Sequence, residues 1–298
     1  MKIIVTGSLG NISRPLAEQL VQKGHHVTVI SSKSEKQKDI EALGASAAIG
    51  SVEDPAFLTA AFTGADLVYC MLPPNHWFNG VDPVLYCRQV GNNYAQAIRQ
   101  SGVKRAIHLS SHGAELDKGT GFILCAHHVE RILEELPDLS ITHMRPTSFY
   151  NNLYGFIPMI NKLGFIAANY GGQDKIVFVS PKDIADAIVE EIEAPPVSRK
   201  IRYVASDERT ADETISILGA AIGRPELQWK IITNQQMQQT LEENGLSPVL
   251  ASYMVELYAC FHSGELTKDY FLNRPKQLGK IKLTDFAKEF ATAYEKSR

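Results

Sequence analysis

Met1-Lys2-Ile3-Ile4-Val5-Thr6-Gly7-Ser8-Leu9-Gly10-Asn11-Ile12-Ser13, continued by Arg14 to Lys23, Gly24-His25-His26 and Val27-Thr28-Val29-Ile30, decides the fold. The first residues form a short apolar strand that runs into a glycine turn. A stretch with helical apolar spacing follows, and after the Gly24 break a second strand begins on schedule. This order brings backbone N–H groups and a helix N-terminus to one point, which is an anion site suited to the pyrophosphate of a dinucleotide. Gly7 serves the tight turn, and Gly10 leaves room for a phosphate to approach the backbone. Ser13 takes the place of a third glycine and is small enough to let helix and strand pack. Thr6, Gly7, Leu9, Gly10, Asn11 and Ile12 are the cofactor-binding candidates here. The competing reading is a plain strand-to-helix turn that holds no ligand.

The end of the second strand should meet the adenosine ribose, where an acidic residue would bind the 2′-hydroxyl of NAD. This chain has Ser31-Ser32-Lys33-Ser34-Glu35-Lys36 instead. Hydroxyls and a lysine suit a 2′-phosphate, so Ser31, Ser32 and Lys33 predict NADP(H) in preference to NAD(H). A solvated polar loop is the alternative.

The chain has 298 residues, 44% hydrophobic and 21% charged, with a formal net charge of −3. That is ample for a large core, and there is no basic excess to suggest nucleic acid. The apolar runs are strand-length, so no membrane span is expected, and the immediate strand leaves no signal peptide. A cytoplasmic protein is the expectation. Cys70, Cys87, Cys125 and Cys260 show no metal or redox spacing and are expected to be buried and reduced. The His25-His26 pair has no matching cluster, so no metal site is expected. Ser110 and His112 raise hydrolysis, but no Gly-x-Ser-x-Gly elbow is present.

Strand and helix patterns alternate through the first half. Pro55 to Thr63 reads as a helix, Ala65 to Leu72 as a buried strand, Pro83 to Gln100 as a long helix and Arg105 to Ser110 as a strand. Val129 to Leu136 reads as a helix and Ser140 to Pro146 as a strand. Such a series predicts an α/β fold, a Rossmann-type doubly wound parallel sheet with ligands at the carboxyl ends of its strands. Met71, Leu72, Pro73, Ser110 and Pro146 join the cofactor candidates on that ground. Residues 1–150 are read as the nucleotide-binding domain, with parts of 176–205 returning to it. Residues 151–298 are read as a smaller, mostly helical substrate lobe. Ser180 or Pro181 starts a helix through Asp183-Ile184-Ala185, which is read as structural.

With these residues assembled, the chain resembles the NmrA-like, atypical short-chain dehydrogenase/reductase family, in its triphenylmethane reductase and quinone oxidoreductase branch. The resemblance is carried by Val5-Thr6-Gly7-Ser8-Leu9-Gly10-Asn11-Ile12, Gly50-Ser51-Val52-Glu53-Asp54-Pro55, Met144-Arg145-Pro146-Thr147-Ser148-Phe149-Tyr150-Asn151-Asn152 and Ser180-Pro181-Lys182-Asp183-Ile184-Ala185. Glu243-Asn244-Gly245-Leu246-Ser247-Pro248 and Ser263-Gly264-Glu265 add the reductase branch. The resemblance implies an NADPH-dependent oxidoreductase acting on a quinone-like, dye-like or other conjugated electrophile. Ordinary superfamily members use a Tyr-x-x-x-Lys pair, and Thr120 to Glu130 contains none. His127 or His128 is then the candidate to supply a proton or hold a ribose hydroxyl, or both are surface or capping residues. The resemblance puts Phe149, Tyr150 and Asn151 beside the nicotinamide. Asn75, Trp77 and His112 complete the substrate candidates, although the aromatics also suit core packing. The missing pair keeps a second reading open, a non-enzymatic NAD(P)-binding redox sensor acting through a protein partner. A sugar-nucleotide epimerase is a distant third. A homodimer is compatible with the sequence.

Overall fold

The computed structural model describes residues 1–73 and 81–298. Asn75 and Trp77 lie outside the described residues. The strands are β1 (Lys2–Val5), β2 (His26–Ser31), β3 (Ser46–Ile49), β4 (Leu67–Cys70), β5 (Arg105–Leu109), β6 (Ser140–Pro146), β7 (Ser148–Phe149), β8 (Ile166–Ala168), β9 (Lys175–Val179), β10 (Arg199–Val204), β11 (Asp207–Thr210) and β12 (Trp229–Ile231). The helices are α1 (Ser13–Gln22), α2 (Gln37–Ala42), α3 (Pro55–Phe62), α4 (Pro83–Ser101), α5 (Leu124–Glu134), α6 (Ile157–Leu163), α7 (Pro181–Glu193), α8 (Ala211–Ala221), α9 (Asn234–Glu243), α10 (Pro248–Ser263), α11 (Glu265–Leu272) and α12 (Leu283–Lys296). The chain divides into one unit of residues 1–114, 125–145 and 184–202, and a second of 115–124, 146–183 and 203–298.

The first unit is built on a seven-stranded sheet in the order β10-β6-β5-β4-β1-β2-β3. β1 pairs in parallel with both β2 and β4, and the parallel ladder continues through β5 to β6. The order reverses at β1, the switch point beside whose carboxyl end ligands bind in open α/β sheets. Val68 and Cys70 of β4 and Ala106 and Ile141 of the neighbouring strands share a core with Val90 and Tyr94 of α4 and Val129 and Leu133 of α5. Local chemistry sets the helix ends. Asp54 caps α3 by accepting from the N–H groups of Ala56 and Phe57, and Asp82 caps α4 through Val84 and Leu85. Pro55 and Pro83 supply the preset φ of a first turn.

Helix α5 begins at Leu124, five residues before the Val129 expected from the sequence. Its first turn buries Cys125 and Ala126, and the adjacent histidines hide that face from a reading by apolar spacing. The expectation of four reduced cysteines needs correction. Cys87 of α4 and Cys125 of α5 form a disulfide across a Cα–Cα distance of 5.3 Å, while Cys70 and Cys260 are free and buried. The two sulfurs meet because α4 and α5 pack closely: a Cβ at Gly91 would lie 3.1 Å from Val129.

The second unit holds a three-stranded sheet, β11-β9-β7, and a two-stranded one, β12-β8. Of the stretch 176–205, residues 184–202 belong to the first unit, whereas β9 pairs with β11 and β7 in the second. Its core is aromatic. Tyr150 stacks between Phe178 and Phe286 at centroid distances of 5.4 and 5.1 Å, and Trp229 meets Phe156 and Tyr170 edge-on. α12 supplies Phe286, Phe290 and Tyr294 from one face. Among the described residues, no helix is long and apolar enough to cross a membrane.

Candidate nucleotide-binding site

The glycine turn joins β1 to α1. Gly7 adopts φ +89°, and a Cβ there would lie 2.2 Å from Met71 Sδ and 2.6 Å from Ser13 Oγ. The Gly10 N–H closes the turn on the Gly7 carbonyl at 3.1 Å. Ser13 has its own task. It is fully buried, and its hydroxyl donates to the Thr6 carbonyl at 2.8 Å, so the helix is bonded to the strand where a glycine would only lie close. The Thr6 hydroxyl accepts from the Met71 N–H at 2.9 Å and ties the end of β1 to the end of β4. Tyr94 of α4 donates to the Met71 carbonyl at 2.7 Å.

These contacts leave the turn rigid and its outer face open. α1 has no side-chain N-cap and no acidic residue in its first turn. The N–H groups of Asn11 and Ile12 make no backbone hydrogen bond among the described residues, and Gly10 and Asn11 are exposed. Unbonded donors and the positive end of the α1 dipole attract an anion. The residues therefore fit the pyrophosphate of a dinucleotide, a phosphate replacing the missing cap. Leu9, Met71, Leu72 and Pro73 are half-buried around this point, and Ile12 is buried beneath it.

Ser8 was not singled out in the sequence, yet it fixes the turn in place. It is the one non-glycine residue with positive φ among those described, at 54°. Its N–H donates to the Ile30 carbonyl at 3.0 Å and its hydroxyl to Ser31 Oγ at 2.9 Å. The Lys33 N–H also donates to Ser31 Oγ, at 3.2 Å. Ser31 is thus buried and holds the turn to the end of β2, while Ser32 and Lys33 remain exposed beyond it. No carboxylate stands among Ser31, Ser32 and Lys33.

At the carboxyl end of β5, a buried charge pair governs Ser110. The Glu130 carboxylate of α5 accepts from Arg145 Nε at 2.9 Å, from Arg145 Nη2 at 2.7 Å and from Ser110 Oγ at 2.5 Å. Glu130 is 0% exposed and Arg145 1%. Burial alone would raise the Glu130 pKa. The bonds from Arg145 and Ser110, with the adjacent positive charge, outweigh it and hold the carboxyl below its ordinary range. Beneath this pair, His108 of β5 and His143 of β6 face each other with Nδ1 atoms 3.0 Å apart. Burial pushes the His108 pKa down to about 3 and that of His143 to about 4, so both are neutral at pH 7. His112 is buried as well and falls to about 4 for the same reason.

The two α5 histidines separate. His127 Nδ1 lies 2.9 Å from the Ala114 carbonyl, beside the loop that follows β5. His128 lies near Arg88, and its pKa is lowered by burial and then by the Arg88 and His127 charges. Only His127 stands at the carboxyl edge of the sheet. Pro146 is the buried last residue of β6. Phe149 and Asn151 are half-buried in the second unit. The substrate role expected of Tyr150 is corrected: its ring is inside the aromatic stack, and its hydroxyl donates to the Ile281 carbonyl at 3.0 Å. Asp183 is structural. It accepts from Ser206 Oγ at 2.6 Å and from the N–H groups of Lys280 and Ile281, each at 3.1 Å.

Residues 1–288 match the family model described as the NmrA-like family. The chain belongs to that family. An NAD(P)H azoreductase of Xenophilus azovorans is 25% identical over 301 residues, covering 98% of this chain and 99% of that protein. Among solved structures, an NADPH-dependent quinone oxidoreductase from Escherichia coli complexed with NADPH matches with a TM-score of 0.82 and 19% identity, over 96% of this chain and 99% of that one. The Citrobacter sp. triphenylmethane reductase complexed with NADP(H) matches with a TM-score of 0.79 and 20% identity, over 97% and 99%. NmrA, a negative transcriptional regulator, matches with a TM-score of 0.73 and 13% identity, over 99% and 97%. This NmrA-like chain shares its fold with reductases and with a regulator alike.

Proposed function

We propose that this NmrA-like protein is an NADPH-dependent oxidoreductase that passes hydride to a quinone-like, dye-like or other conjugated electrophile. The observation that carries the reading is the uncapped anion cradle of Gly7 to Ile12, fixed by Ser8 and Ser31 to a β2 end that has no carboxylate and exposes Lys33. The full-length likeness to an NAD(P)H azoreductase supports the reductase half. α5 contains neither tyrosine nor lysine, which favours acceptors that are already electrophilic and need chiefly to be positioned against the nicotinamide. Phe149 and Asn151 are assigned to the acceptor side, and replacing either with alanine is expected to raise KM for the acceptor more than it lowers NADPH affinity. His127 is the residue assigned to proton supply.

A second reading, an NAD(P)-binding redox sensor, is favoured by the same missing pair and by the regulator among the structural neighbours. The separating experiment is steady-state NADPH oxidation by the purified protein against quinones, azo dyes and triphenylmethane dyes. Turnover with any of them supports the reductase. Nucleotide binding without turnover transfers the assignment to the sensor. The preference for NADPH is tested by titrating NADPH and NADH into wild type and Lys33→Glu. A loss of roughly tenfold or more that is confined to NADPH is expected, from removal of one charged partner of the 2′-phosphate and its replacement by a like charge. Equal losses would remove Lys33 from the cofactor site.

A further inference from the structure

We infer that the Glu130–Arg145 pair fixes Ser110 as a hydrogen-bond acceptor for the nicotinamide carboxamide, an inference that rests on the cofactor reading above. The usual expectation of a serine at a strand end is a hydroxyl free to donate or accept as its ligand requires. Here the proton is committed. The Ser110 Oγ–H points at Glu130 Oε1 across 2.5 Å, and a carboxylate held ionised by two bonds from Arg145 can only accept. The Ser110 N–H is committed too, donating to the Met144 carbonyl at 2.8 Å. Only the oxygen lone pairs remain for a ligand at the carboxyl end of β5.

An acceptor-only oxygen is best matched by a donor-only group. At the reacting end of the cofactor, the ribose hydroxyls both donate and accept and gain nothing special from such a partner. The carboxamide nitrogen only donates. It is therefore the group whose recognition this serine sharpens, and its capture would set the rotation of the nicotinamide ring and the face that it presents. Ser110 touches the cofactor in this scheme. Glu130 and Arg145 are positioning residues that act through it. Fixing the proton by a buried ion pair costs desolvation of two charges, which a purely structural strand end would not require.

The test is equilibrium binding of NADP+ and of its 3-acetylpyridine analogue, in which a methyl ketone replaces the carboxamide and removes the N–H donor. Each is titrated into wild type, Ser110→Ala and Glu130→Gln, with circular dichroism confirming that each variant is folded. Wild type is expected to favour NADP+ by roughly tenfold, the worth of one hydrogen bond in a buried site. Ser110→Ala is expected to bring the ratio close to one. Glu130→Gln is expected to lower the ratio as well, because Oε1 accepts from both Arg145 Nε and Ser110 Oγ, and a neutral amide, whichever way it turns, no longer commits the serine proton as a full negative charge does. A purely structural role for Glu130 would weaken both ligands equally and keep the ratio. An unchanged ratio in folded Ser110→Ala, or no preference in wild type that binds NADP+, overturns the inference alone. Failure of wild type to bind NADP+ overturns the cofactor reading and this inference with it.

Discussion

Gly7 and Gly10 do different work, although the sequence presents them as a pair. Gly7 is required by the protein itself, since its φ of +89° disfavours a side chain and its space is taken by Met71 and Ser13. Gly7→Ala is expected to cost about 1–3 kcal/mol in urea unfolding, the range for a strained backbone position. The Gly10 φ is unremarkable, and the nearest atom to a Cβ there is the Gly7 carbonyl oxygen at 3.1 Å. Gly10→Ala is expected to change stability by less than about 1 kcal/mol and to weaken NADPH binding at least tenfold. NADPH binding at wild-type strength by Gly10→Ala would contradict the cradle. The glycine turn and the close packing at Ser13 were legible because turn chemistry is local. Ser8 was not, because its left-handed φ is sustained by Ile30 and Ser31, which only the fold brings to it. Tyr150 was misread for a similar reason: an aromatic after a strand looks alike whether it faces a ligand or a core. The buried histidines also yield a pH dependence. His108, His112 and His143 are held neutral down to about pH 3 to 4 in the fold and titrate near 6.5 when unfolded. Between those values the unfolded chain binds more protons, so stability rises with pH through the window and is lost on acidification. Unfolding free energy is expected to fall on the order of 1–2 kcal/mol per histidine between pH 7 and pH 5, and His143→Gln should flatten the curve. A curve with no slope in that window would show that these rings are solvated.

α5 packs a polar stripe against the sheet. His127 and Glu130 lie on one helical face, three residues apart, and Glu134 continues it, with Glu134 Oε1 3.9 Å from His143 Nε2. Apolar periodicity finds the opposite case, in which an inward face is greasy. This helix therefore read as beginning at Val129, and Glu130 was given no role. The signal that would have found the pair is an arginine inside the apolar strand Ser140 to Pro146, because a charge there needs a buried partner. Removing one partner leaves the other charge buried alone, so Glu130→Leu and Arg145→Met are each expected to cost about 3–5 kcal/mol. The double variant is expected to recover most of that loss, since two well-packed apolar groups replace a pair that pays heavily for desolvation. Additive losses in this double-mutant cycle would mean that the two side chains do not interact, and would contradict the pair.

The doubly wound parallel sheet and the helical C-terminal region were legible in the whole chain, because strand and helix periods alternate plainly and crossovers have one hand. The way in which distant segments close the second unit was not. Asp183 holds residues 279–281, and a Cβ at Gly279 would lie 2.3 Å from its carboxylate. Lys282 Nζ donates to the carbonyls of Ser206 and Gly279 at 2.6 and 2.8 Å. These contacts seat α12 and its aromatic face, and the Asp183 bonds link positions 97 and 98 residues apart. Asp183→Ala is expected to destabilise the protein by about 2–4 kcal/mol in chemical denaturation, because two N–H groups and a serine hydroxyl lose a buried acceptor. Gly279→Ala should be comparably costly, and a neutral result for both would mean that α12 is held by its apolar face alone. The central claim concerns what the assembled molecule does with a nucleotide. Its most direct test is a single turnover: protein in excess over NADPH is mixed anaerobically with a triphenylmethane dye, an azo dye or a quinone, and dihydronicotinamide absorbance is followed. The account predicts that this absorbance disappears in step with reduction of at least one acceptor. Bound NADPH that persists beside every acceptor would contradict it.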